Sequence, residues 1–63
     1  MSIIENIDSA SSTDELFTIV EIYLDSLGET ENARGETWAE TSDRLGGDEA
    51  LSAAEKKWFD LDA

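Results

Sequence analysis

Between Ser12 and Gly28 the apolar and polar positions recur with the period of an α-helix. At about 100° per residue, Asp14, Thr18, Glu21 and Asp25 fall in one narrow polar stripe. Leu16, Phe17, Ile19, Val20, Tyr23, Leu24 and Leu27 cover the opposite arc, and only Ile22 strays toward the polar side. A strand would bury Glu21 among apolar neighbours, because odd and even positions do not separate into polar and apolar sets. The flanks agree with a helix. Ser12 and Glu15 stand at capping-box spacing, and Gly28 follows the last apolar residue where a left-handed cap belongs. The segment from Asp14 to Leu27 holds about half of the large apolar side chains and is expected to be the central helix.

Three shorter helices are predicted around it. Ser2 and Glu5 cap a first one, Ser2 to Ser9, whose Ile3, Ile4 and Ile7 share a face. So short a helix does not persist alone in water and must dock on a neighbour. Ala10, Ser11 and Ser12 connect it to the central helix. Residues 29–35, ETENARG, carry no large apolar side chain and read as a loop, or at most a loose turn starting at Thr30. Thr37 and Glu40 cap a third helix, Trp38 to Leu45, ended by Gly46 and Gly47. The last helix runs roughly from Asp48 to Leu61, with Leu51, Ala54, Trp58 and Leu61 at heptad-like spacing and Phe59 beside them. Either Asp48 or Ser52, the latter with Glu55, suits its start. Lys56 and Lys57 stand in its later half, where the helix dipole favours cations.

The expected fold is therefore all-α: residues 1–63 form one small helical bundle of about four helices packed on the central one. The expected core is Leu16, Val20, Tyr23, Leu24 and Leu27 with Ile4, Ile7, Trp38, Leu45, Leu51 and Trp58. A chain of about 60 residues buries only about 60% of its unfolded surface, so its stability is small. If apolar surface is left over on the central helix, a homodimer through it is expected.

Charge changes the picture more than size does. Sixteen acids face four bases, a net charge of −12, and residues 1–33 contain no base. Such a surface repels nucleic acid and anionic membrane and attracts basic proteins. The 40% apolar content and the helical periodicity argue against disorder. No apolar run approaches the roughly 18 residues of a membrane span. The first residues lack the basic region of a secretory signal, and with no cysteine the expected location is the cytoplasm.

Candidate chemistry is sparse. Histidine and cysteine are absent, which removes the Ser–His pair, the thiolate and the usual metal ligands. Asp43 to Glu49, DRLGGDE, lacks the alternating acids of a calcium loop. The acid pairs Asp14/Glu15 and Asp48/Glu49 read as first-turn acids favoured by the helix dipole. So small a bundle is expected to have little room for a substrate pocket of about 300 Å3. No enzyme activity, cofactor or metal is expected. Trp38 and Trp58 read as core side chains on opposed helices rather than platforms for bases. Tyr23 reads as core, its hydroxyl reaching the surface.

What remains is the carboxylates as a surface. One candidate partner-binding face is Glu29, Glu31, Glu36, Glu40 and Asp43, and a second is Asp14, Glu21 and Asp25. Either is a solvated face or an imitation of nucleic-acid phosphates. Residues 14–27 span about 20 Å as a helix and carry about one acid per 5 Å, too sparse for a duplex. Two acidic helices and the loop side by side approach the density of one strand.

In size, acidity, lack of cysteine and helical pattern, the chain resembles small phage-encoded inhibitors of host defence, the anti-CRISPR and DNA-mimicking anti-restriction proteins. The resemblance lies in general character over the whole chain and transfers no residue role. It implies an inhibitor in the cytoplasm of a host bacterium. There it would bind the basic nucleic-acid channel of a defence complex, such as a CRISPR effector, and block DNA recognition without touching nucleic acid itself. Two alternatives stand beside it. One is an acidic interaction module such as an antitoxin, adaptor or assembly subunit. The other is an ordinary small domain of a halophile.

Overall fold

Hydroxyl and carboxylate caps start the helices where the sequence places them. The computed structural model describes residues 2–62 and contains α1 (Ile3–Ser9), α2 (Thr13–Leu27), α3 (Trp38–Arg44) and α4 (Glu49–Asp62), with no strand among those residues. The Ser2 and Ser12 hydroxyls accept the Glu5 and Glu15 amides, both at 3.2 Å. Thr37 and Glu40 form a complete capping box. Asp48, not Ser52, starts α4, because its carboxylate accepts the Leu51 amide at 3.1 Å. Gly28 closes α2 in the left-handed region at φ 70°, with the Glu29 amide bonded back to the Leu24 carbonyl at 2.9 Å. Residues 30–35 form successive turns, as expected of a segment without a large apolar side chain.

The centre of the bundle is α4 rather than α2. Helices α1, α2 and α3 each pack on α4, and α1 also packs on α2, whereas α2 and α3 do not run against each other. The reason is side-chain size. Ala50 and Ala54 are buried on α4 beside the fully buried Leu51, so neighbouring backbones can approach it closely. The core comprises Ile7, Ala10, Leu16, Val20, Leu24, Ala50, Leu51 and Ala54. The expectation therefore holds for Ile7, Leu16, Val20, Leu24 and Leu51. It is corrected for Ile4, Leu27 and Leu45, which are exposed, and for Tyr23, Trp38 and Trp58, which are only half-buried at the core margin. Leu27 is the last residue of α2 and Leu45 the cap after α3, each beside a glycine turn that leaves it uncovered.

Polar contacts fasten the helices at two places. Tyr23 of α2 donates its hydroxyl to the Asp48 carboxylate at 2.7 Å. The Asp48 amide donates to the Ser42 hydroxyl of α3, which donates in turn to the Asp48 carbonyl, both at 2.8 Å. Ser52 lies 3.1 Å from the same Ser42 oxygen. One short knot thus joins α2, α3 and the start of α4. At the other end Lys57 of α4 donates to the Asp8 carbonyl in the last turn of α1 at 2.9 Å. That contact satisfies one of the carbonyls a helix end leaves open.

Candidate functional site

The two acidic faces differ in how free their charges are. Asp14, Glu21 and Asp25 lie exposed along one stripe of α2, with no cation against them among the described residues. The other face is interrupted. Arg44, at the end of α3, reaches Glu29 at 2.8 Å and Glu36 at 3.1 Å, drawing together the two ends of the loop between α2 and α3. Glu36 also accepts the Thr41 hydroxyl at 3.0 Å, and Glu40 is engaged with the Thr37 amide at 3.0 Å. Glu31 and Asp43 are exposed and unpaired with any cation among the described residues. The sequence grouped Glu29 and Glu36 on one candidate face but could not show that Arg44 neutralises part of it.

The clamp shifts the ionisation of its members. The Asn32 amide, then the Arg44 guanidinium, hold the Glu29 carboxyl below its usual range. Arg44, aided by the Thr41 hydroxyl, does the same for Glu36. The arginine is held still more firmly charged by both carboxylates. A lowered carboxyl pKa favours the fold while the group is ionised, so this contribution is present above the usual value of 4.5 and is lost as pH falls through the lowered values. The unfolding midpoint of Arg44→Gln should therefore lie below that of the wild type at neutral pH. The gap should close on acidification below that range. A gap of equal size in acid would show that Arg44 acts by packing alone.

A second feature was not expected from the sequence. Phe17 of α2, Trp38 of α3, and Trp58 and Phe59 of α4 line one open groove of about 350 Å3 together with Glu36, Thr37 and Glu55. Trp38 meets Trp58 edge to face, ring centres 5.4 Å apart, and Phe17 at 6.3 Å. Phe17 is 47% and Phe59 65% exposed. A second groove, of about 380 Å3, shares Phe17, Glu36 and Trp38 with the first and is lined further by Val20, Leu24 and Ala33. Its rim holds Glu21, Arg34 and Glu36, so the two acidic faces meet there. Both volumes exceed about 300 Å3 but belong to open grooves, not to an enclosed substrate pocket. Both are surface grooves formed where α2 and α3 stand apart. The sequence signal that could have found the aromatic groove is the placement of Phe17 and Phe59 at the edges of their apolar arcs.

Among the described residues no three His, Cys, Asp or Glu side chains are grouped to hold a metal ion. No helix among the described residues is long and apolar enough to cross a membrane. Comparison with protein-family models, with curated proteins and with solved structures found no match to this chain.

Proposed function

We propose that this protein is an acidic binding domain that occupies the basic nucleic-acid-binding surface of a protein or complex and excludes the nucleic acid from it. The observation that carries this reading is the density of free charge. Arg44 takes two of the sixteen carboxylates, and no other ion pair occurs among the described residues. The longest dimension of the molecule is 26 Å. A duplex of that length carries about 15 phosphates, and a single strand about 8. A net charge of −12 on a molecule of that length is comparable with the duplex, and the two acidic faces taken together approach one strand. A CRISPR effector or another nucleic-acid-binding defence complex, whose channel is built for such a charge density, is the partner class this reading names.

The test follows from which acids are free to be changed. Glu36 supports the fold through Arg44 and Thr41, so its neutralisation would confuse stability with binding. Replacing Glu31 and Glu40 by Gln and Asp43 by Asn avoids this, since Gln can still serve at the Thr37 capping box. This triple variant should fold at least as stably as the wild type, because it relieves self-repulsion at −12. The companion variant carries Asp14→Asn, Glu21→Gln and Asp25→Asn. Immobilised wild-type protein should capture a basic nucleic-acid-binding complex from nuclease-treated extract of a bacterium bearing CRISPR or restriction systems. Excess duplex DNA or raised salt should elute it. At least one of the two triple variants should fail to capture it. Capture indifferent to DNA, to salt and to both variants would overturn the proposal.

A further inference from the structure

All of the chain's phenylalanine and tryptophan residues, two of each, line one groove. They come from three helices and from positions far apart in sequence, so the convergence is a product of the fold. Trp38 and Trp58 pack on the core margin, but the two phenylalanines add little to stability. A buried aromatic side chain removes about 150–250 Å2 from water, the largest gain open to a small domain. Yet Phe17 and Phe59 stay about half exposed or more, while leucine, isoleucine, valine and alanine fill the core. Aromatic side chains gathered on a surface are the composition of a binding centre.

The rim of the groove states the chemistry of what fits. Glu36 and Glu55 border it, and no base does. Glu36 is shared with Arg44, whereas Glu55 has no cation partner among the described residues. An aromatic floor under a free carboxylate matches a side chain with an apolar stem and a cationic head. Arginine suits it best, because its planar, weakly hydrated guanidinium stacks on aromatic rings and pairs with a carboxylate. A nucleic-acid base is a poor occupant, since its phosphates would meet a protein of charge −12. A second copy of the chain brings another −12 and is repelled likewise.

The geometry points to this groove as the docking site for an arginine of a basic, amphipathic segment of a partner protein. The guanidinium lies over the Trp38–Trp58–Phe59 floor against Glu55, and a neighbouring apolar side chain of the segment enters the adjoining groove over Val20, Leu24 and Ala33. This inference rests on the proposed function, whose partner is basic, and adds the point of anchorage.

Both tryptophans line the groove, so their emission reports its occupation directly. The probe is a synthetic amphipathic helical peptide of leucine and arginine. Two control peptides replace every leucine by serine or every arginine by glutamine. The leucine–arginine peptide should change tryptophan emission saturably, and each control should bind about tenfold more weakly or worse. Phe59→Ala should weaken the leucine–arginine peptide about tenfold, and Glu55→Gln about threefold. Phe59 is mostly exposed, so the fold should survive, and circular dichroism checks this. Glu55→Gln keeps the shape and serves as an independent variant. Equal binding by the serine control, or full affinity in both variants, would overturn the inference. So would a dimer in sedimentation that Phe59→Ala dissociates, which would make a second copy the occupant. If only the Glu31/Glu40/Asp43 triple variant weakens the peptide, the acidic-surface reading stands and the groove does not. If no peptide binds, the groove inference falls, while the acidic-surface reading is decided by the capture experiment.

Discussion

Replacing Leu51 by Ala should leave the protein close to its unfolding midpoint, or beyond it, at room temperature. Leu51 is fully buried on α4, the helix against which all the others pack. Truncating such a leucine costs about 2–5 kcal/mol, from the lost transfer energy and the cavity left behind. A chain of 63 residues has about 3–9 kcal/mol in total, at about 0.05–0.15 kcal/mol per residue. Leu24→Ala should fall in the same range, as that side chain is 8% exposed. Leu27→Ala is the contrast. It lies on the same apolar arc in sequence but is 45% exposed, so its truncation should cost about 1 kcal/mol or less. Urea unfolding followed by circular dichroism measures all three. Equal midpoint shifts for Leu51→Ala and Leu27→Ala would contradict this packing.

The second large effect is expected at the junction of Tyr23 and Asp48. Asp48→Ala removes the cap of α4 and the hydrogen bond to the half-buried Tyr23 hydroxyl, for a combined loss of about 2 kcal/mol. Because the two side chains share one hydrogen bond, Tyr23→Phe and Asp48→Ala should be non-additive by about 0.5 kcal/mol or more. The same contact sets a pH dependence. The hydrogen bond to Asp48, then burial, then the Asp48 charge push the Tyr23 phenol up to about 12 from its usual 10.0. The folded protein keeps this proton over a range where the unfolded chain has released it. The stabilisation is therefore complete below pH 10 and is lost as pH rises through about 12. Tyr23 is the chain's one tyrosine, so tyrosinate absorbance follows it without interference. The native protein should titrate well above 10, and Asp48→Ala should bring the midpoint back down. A native midpoint at the usual tyrosine value would show that the Tyr23–Asp48 bond does not persist in solution.

The candidate site was legible in part. Net charge and its distribution along the chain follow directly from the order of residues, and the expectation of a basic partner rests on them. Which carboxylates are free is a matter of distances across the fold. Arg44 stands eight positions from Glu36 and fifteen from Glu29 along the chain, and only the turns of residues 30–35 bring both within its reach. The aromatic groove was not legible. Phe17 and Phe59 lie at or beside the margin of a local apolar face while Trp38 and Trp58 read as core, and a margin can be covered or left bare depending on how neighbouring helices diverge.

Local rules alone determined the four helices and most of their ends, the start of α4 excepted, where Ser52 with Glu55 fits the same rules as Asp48. A hydroxyl three residues before a glutamate and a glycine after the last apolar residue act on backbone groups within one turn, so Ser2, Ser12, Thr37 and Gly28 work as the pattern predicts. The tertiary structure decided which helix is central. Counting large apolar side chains favoured α2, but close packing rewards fit rather than bulk. The small Ala50 and Ala54 beside Leu51 let three helices approach α4, which leaves Phe17, Ile22 and Leu27 of α2 facing outward.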